Sequence, residues 1–153
     1  MRFETQEDLL NEEQAIVWFC EEYNLNFKKL EENDVDFVLM KKEKIVAYAE
    51  VKGRNKNLIE AYPLPIAVRK LVKLVDKKIT PLVIWSCLDG FIYGKINKLV
   101  GEIKIGGRRA RNGAVNDVEL MAYFKKCESL IEHRRKNNLG QKYTQLNLFE
   151  NEK

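Results

Sequence analysis

Ile45-Val46-Ala47-Tyr48-Ala49-Glu50-Val51-Lys52 is an apolar run that ends by delivering a carboxylate and an ammonium two residues apart, just ahead of Gly53. Side chains two apart on a β-strand share a face, so Glu50 and Lys52 stand side by side at a strand end while Val51 turns back to the core. Upstream, Asp34-Val35-Asp36-Phe37-Val38-Leu39 carries another carboxylate inside a second apolar run, and Lys41-Lys42-Glu43-Lys44 between the two reads as a polar turn. An antiparallel hairpin then sets Asp36 beside Glu50. Two acids and a lysine converge.

Outward from this hairpin the pattern alternates helix and strand. Glu4 to Tyr23 reads as a helix, with Leu9, Leu10, Ile16, Val17, Cys20 and Tyr23 recurring at three- and four-residue spacing. Glu13 falls among those apolar positions and Glu12 at their margin, so an inward carboxylate is expected there. Phe27 to Glu32 reads as a short edge strand or connection. After Gly53 a loop runs to Pro63 and Pro65, followed by a helix expected from about Ile66 to Lys77. Pro81 to Cys87 is a continuous apolar run, as in a strand covered on both faces, and Asp89-Gly90 turns it into a returning strand, Phe91 to Ile96. Gly106 to Gly113 is an arginine-rich loop. Asn116 or Asp117 is positioned to cap a final helix carrying Val118, Leu120, Met121, Phe124, Leu130 and Ile131.

Composition narrows the chemistry. At 153 residues, with 45% apolar and 33% charged side chains, the chain fits one α/β domain with a single core and no membrane-spanning run. Its N-terminus is unlike a signal peptide, so a cytoplasmic setting is expected. Cys20, Cys87 and Cys127 are widely spaced and read as buried thiols rather than a disulfide or zinc framework. With His133 the single histidine, any catalysis falls to carboxylates and lysines. The net charge of +4 is concentrated: the first 36 residues are acid-rich, Lys52 to Arg111 is basic, and Glu132-His133-Arg134-Arg135-Lys136 adds a cluster. Such asymmetry suits a nucleic-acid face, with Arg54, Lys56, Arg69 and Lys70 near the hairpin and Arg108, Arg109 and Arg111 in the loop as phosphate contacts.

Helix, strand with Asp36, strand ending Glu50-Val51-Lys52, helix and strand together resemble the PD-(D/E)xK nuclease superfamily. Val35 stands where the motif's proline usually does, and the resemblance spans about Glu7 to Ile96. It implies a restriction-endonuclease-like core, a central mixed sheet flanked by helices, and a Mg2+-dependent nuclease, with Mn2+ as the alternative ion. Phosphodiester hydrolysis needs an activated water, charge neutralisation and a stabilised leaving group, which a carboxylate-held divalent ion serves. Asp36, Glu50 and the Val51 carbonyl would hold the ion, Lys52 would orient or deprotonate water, and Glu13, with Glu12 as the alternative, would add a first-helix ligand.

From Lys136 the pattern dissolves, giving a nuclease domain over residues 1–136 and a tail over 137–153. Gln145-Leu146-Asn147-Leu148-Phe149 resembles the pentapeptide by which bacterial replication and repair proteins dock on the sliding clamp; Gln145, Leu146, Leu148 and Phe149 fill its fixed positions. The two resemblances imply a structure-directed deoxyribonuclease of replication, repair or recombination in a bacterial cell or phage-infected host. Its partners are DNA and the clamp, and a homodimer is the analogy with junction resolvases. An RNA-cleaving or restriction-type enzyme, or a non-catalytic DNA- or clamp-binding protein, are the alternatives.

Overall fold

A computed structural model describes residues 6–31, 34–108 and 117–135. Among them lie two helices, α1 (Gln6–Tyr23) and α2 (Val68–Val75), and nine strands: β1 (Asn26–Lys29), β2 (Phe37–Lys41), β3 (Lys44–Gly53), β4 (Leu64–Ala67), β5 (Pro81–Cys87), β6 (Gly90–Lys95), β7 (Gly101–Arg108), β8 (Asp117–Phe124) and β9 (Ile131–Arg134). A six-stranded sheet runs in the order β1-β2-β3-β5-β6-β9, and a three-stranded sheet in the order β4-β8-β7. β3 and β5 pair in parallel and the other neighbours antiparallel, so the large sheet is mixed. This is the expected α/β architecture, consistent with a restriction-endonuclease-like fold.

The alternation along β3 and β5 builds two cores. Ala47, Ala49 and Val51 of β3, with Leu82 and Ile84 of β5, lie against Ala15, Ile16, Phe19 and Cys20 of α1. Val83, Trp85 and Cys87 point the other way, into a core with Leu64, Ile66, Leu74, Ala122 and Phe124. β5 is therefore buried on both faces, as its unbroken apolar run requires. Trp85 Nε1 donates to the Pro65 carbonyl at 2.7 Å, and its ring meets Phe124 edge-on, tying the small sheet to the large one.

Several elements differ from the sequence reading. Residues 117–124 are a strand, not the start of a helix: Val118, Leu120, Ala122 and Phe124 share one face, Asp117, Glu119, Met121 and Tyr123 the other, and β7 supplies a partner along the whole length. β7 itself extends into the arginine-rich stretch, to Arg108. The helix expected from Ile66 starts at Val68, because Leu64 to Ala67 pair with β8 as β4; Pro65 keeps Leu64 extended. Residues 131–134 form edge strand β9. Cys127 is exposed, whereas Cys20 and Cys87 are buried. Among the described residues no helix is long and apolar enough to cross a membrane.

Candidate active site

The site grows out of the hairpin register. Phe37 pairs with Ala49, so Asp36, one step further, comes level with Glu50. Its Oδ2 accepts a hydrogen bond from the Val51 N–H at 2.9 Å, which anchors the carboxylate to the backbone of β3. Leu30 N–H donates to the Asp36 carbonyl at 3.0 Å, holding the same residue from the other side. Because Val51 faces α1, Glu50 and Lys52 face the opposite side of the sheet, toward α2.

Glu50 is only 1% exposed, the one buried charged or polar residue of the described chain. Its Oε2 takes an ion pair from Lys70 Nζ of α2 at 2.9 Å, while Oε1, equally buried, has no hydrogen-bond partner among the described residues. Burial pushes the Glu50 carboxyl up to about 7, the nearby Asp36 charge adds to the rise, and Lys70 and Lys73 oppose it. Burial would depress the Lys70 ammonium, but the Glu50 and Asp36 carboxylates outweigh it and hold Lys70 above the usual lysine range. Lys73, one turn on, donates to the Asp34 carbonyl at 3.5 Å, and Lys77 pairs with the Asp34 carboxylate at 2.6 Å. Lys52 is half-buried on the Glu50 face, level with Trp85 of β5.

Asp36 and Glu50 thus present two carboxylates at a strand end, and among the described residues no group of three or more His, Cys, Asp or Glu side chains could hold a metal ion. Two acids suffice for Mg2+, which keeps several waters and commonly takes one or two protein carboxylates plus substrate phosphate oxygens. The unpartnered buried Glu50 Oε1 is a donor atom of the hard type such an ion prefers. The residues fit the ion.

A family model described as "Phage putative PDDEXK endonuclease" matches residues 1–130, most of the chain and all of the site just described. The chain belongs to this PDDEXK family. Comparison with curated proteins and with solved structures gave no match.

Other residues expected in the PDDEXK site land in different places. Glu13 is exposed, not inward. α1 buries Ala15, Ile16, Phe19 and Cys20 against the sheet face opposite Glu50, and the structure does not group Glu13 with Asp36 and Glu50. Glu12, half-buried one turn before Ile16, shares that packed stripe. Arg54 serves its own loop: Nε donates to the Ala61 carbonyl at 2.8 Å and Nη2 to the Pro63 carbonyl at 3.4 Å. Arg69 pairs with Glu119 of β8 at 2.9 Å. Lys56 is exposed.

The basic cluster after residue 131 is also engaged, with Arg134 on Asp89 at 2.9 Å and the Arg135 guanidinium over the Trp18 ring. Arg108 ends β7; Arg109 and Arg111, and the tail residues Gln145, Leu146, Leu148 and Phe149, lie outside the described residues. Lys70, read from the sequence as a phosphate contact, sits on Glu50. Lys70, Lys73 and Lys77, spaced three and four apart, form a cationic stripe whose helical period is visible in the sequence.

Proposed function

We propose that this PDDEXK protein is a Mg2+-dependent deoxyribonuclease in which Asp36 and Glu50, with the Val51 carbonyl, hold the ion. The observation that carries the reading is Glu50: a buried carboxylate with one unpartnered oxygen, level with Asp36 and two residues from Lys52. A bound divalent ion supplies charge neutralisation at the scissile phosphate and acidifies its water. Asp36 keeps its orientation through the Val51 N–H, so the two acids are arranged before substrate arrives. Lys52, on the same face, orients the attacking water or stabilises charge on the phosphate. Lys56 and Arg108, with Arg109 and Arg111, are the remaining candidates for backbone contacts.

DNA is the favoured substrate because the tail, residues 137–153, carries the clamp-like pentapeptide. Docking there through Gln145, Leu146, Leu148 and Phe149 would raise the local DNA concentration. Among the described residues no separate base-reading element is evident, so branched, flapped or nicked duplexes come first as substrates to test. The test is digestion of labelled plasmid, flap and junction DNA by wild type and Glu50→Gln with Mg2+. Cleavage by wild type alone is expected. Intact DNA with both proteins, alongside normal DNA retention, would favour a non-catalytic binding role. Retention of a bacterial clamp by Leu148→Ala/Phe149→Ala as strong as by wild type would remove the tail's role.

A further inference from the structure

The ion pair between Lys70 and Glu50 is incomplete as a structural device. A buried carboxylate is stable when both oxygens are satisfied, and an ammonium serving one oxygen leaves the desolvation of the other uncompensated. Glu50 is in that condition: Lys70 Nζ lies 2.9 Å from Oε2 and nothing among the described residues reaches Oε1. An arginine at position 70 could have engaged both oxygens with its planar fork, whereas lysine is a single point charge on a flexible stem. The Lys70 side chain is 29% exposed against 2% for Glu50, so the cation, not the acid, has a route to solvent. It also sits in the first turn of α2, held by a helix that packs on β3.

Granting that Asp36 and Glu50 hold a divalent ion, as the proposed function has it, we infer that Lys70 is a positioning residue that occupies Glu50 in the metal-free protein and is displaced when the cation binds. Two acids that close repel each other, and Lys70 is attracted to both. Glu50 Oε1 would be satisfied by a dication held at the same acids, and the adjacent Lys70 ammonium, repelled by it, would move off toward solvent. Metal uptake is then an exchange of one cation for another, and the freed Lys70 becomes available to a backbone phosphate. The metal affinity of the protein is set by this internal competitor.

Calorimetric titration of the metal-stripped full chain with Mn2+, without DNA, reads the exchange independently of cleavage. Lys70→Met removes the competitor and is expected to tighten Mn2+ binding on the order of ten-fold; Lys70→Arg, able to grip both oxygens, weakens it. Unchanged or weaker binding by a folded Lys70→Met protein overturns the inference. A second measurement needs no variant: acetylation of Lys70 in wild type, followed by mass spectrometry with Lys56 as the reference site, accelerates several-fold on adding Mn2+. Equal rates with and without Mn2+ also overturn it. Wild type that takes up no Mn2+ at all defeats the metal-dependent function itself and the Lys70 exchange with it, an outcome distinct from uptake that Lys70 does not affect.

Discussion

The two faces of β3 are buried side by side and built on opposite principles. Toward α1 stand Ala47, Ala49 and Val51, apolar, closely covered and without polar atoms to satisfy. Toward α2 stand Glu50 and Lys52, where a buried carboxylate keeps an unmatched oxygen. The first face gains free energy from every side chain it removes from water. The second is costly to fold, since a charged group in that position is destabilising unless fully paired. One strand therefore separates an apolar face that holds the protein together from the polar face proposed to carry its chemistry.

Substitutions on each side should dissociate the two properties. The largest effect is expected at Glu50→Gln: cleavage of labelled DNA falls by about 10³-fold or more, as for loss of a metal-holding group, while the melting temperature of the metal-free protein does not drop. A fall in stability matching the fall in activity would erase the contrast. On the α1 side, Ile16→Ala should lose about 3 kcal/mol in denaturant unfolding and leave kcat of the folded fraction unchanged.

A pH series sharpens the comparison. The folded-state pKa of Glu50 is raised, to about 7 from an ordinary 4.5. A carboxyl shifted in this direction favours folding fully below its unfolded pKa. That contribution is lost as pH climbs from about 4.5 through about 7. Metal-free wild type should thus lose about 3 kcal/mol across that window relative to Glu50→Gln, and Mg2+ should restore it.

Asp34 runs the other way and is smaller. The hydrogen-bonded Lys77 and the Val35 N–H hold its carboxyl below the usual range, so its stabilisation is present above the unfolded pKa and fades on acidification. Asp34→Asn at neutral pH should cost about 0.5 kcal/mol and less in high salt, because the pair is open to solvent.

What could be read in the sequence follows from how local each signal is. The period of two along Ile45–Lys52 places Glu50, Val51 and Lys52 on the correct faces without any knowledge of neighbours; a turn is also legible between β5 and β6, one residue earlier than Asp89-Gly90 suggests, since Leu88 and Asp89 make it and Gly90 already pairs with Cys87. β8 resists because Val118, Met121 and Phe124 fit helical spacing while Val118, Leu120 and Phe124 fit strand spacing; the decision rests with β7, a partner the local pattern does not announce. Glu13 fails for a related reason. The helix phase read from Leu9, Leu10, Ile16, Val17, Cys20 and Tyr23 shares Ile16 and Cys20 with the stripe that packs on the sheet, but Leu9, Leu10 and Val17 turn it toward Glu13, whereas Ala15 and Phe19 complete the stripe on its other side. The meeting of Lys70 with Glu50 is tertiary: the helical period gives the stripe, but only the crossover between β3 and β5 decides which acid it covers.

The loop leaving this site adds a kinetic corollary. Between Lys52 and β4 the chain is fastened by Arg54 to the Ala61 and Pro63 carbonyls, by the Arg54 N–H to Ser86, by Leu88 N–H to Lys56, and by the Asp89 carboxylate to the Leu58 N–H. Its conformational entropy is surrendered during folding, not when a ligand arrives. Encounter with a ligand at this rim needs no loop ordering, so its association rate is governed by diffusion and charge rather than by waiting for a segment to settle.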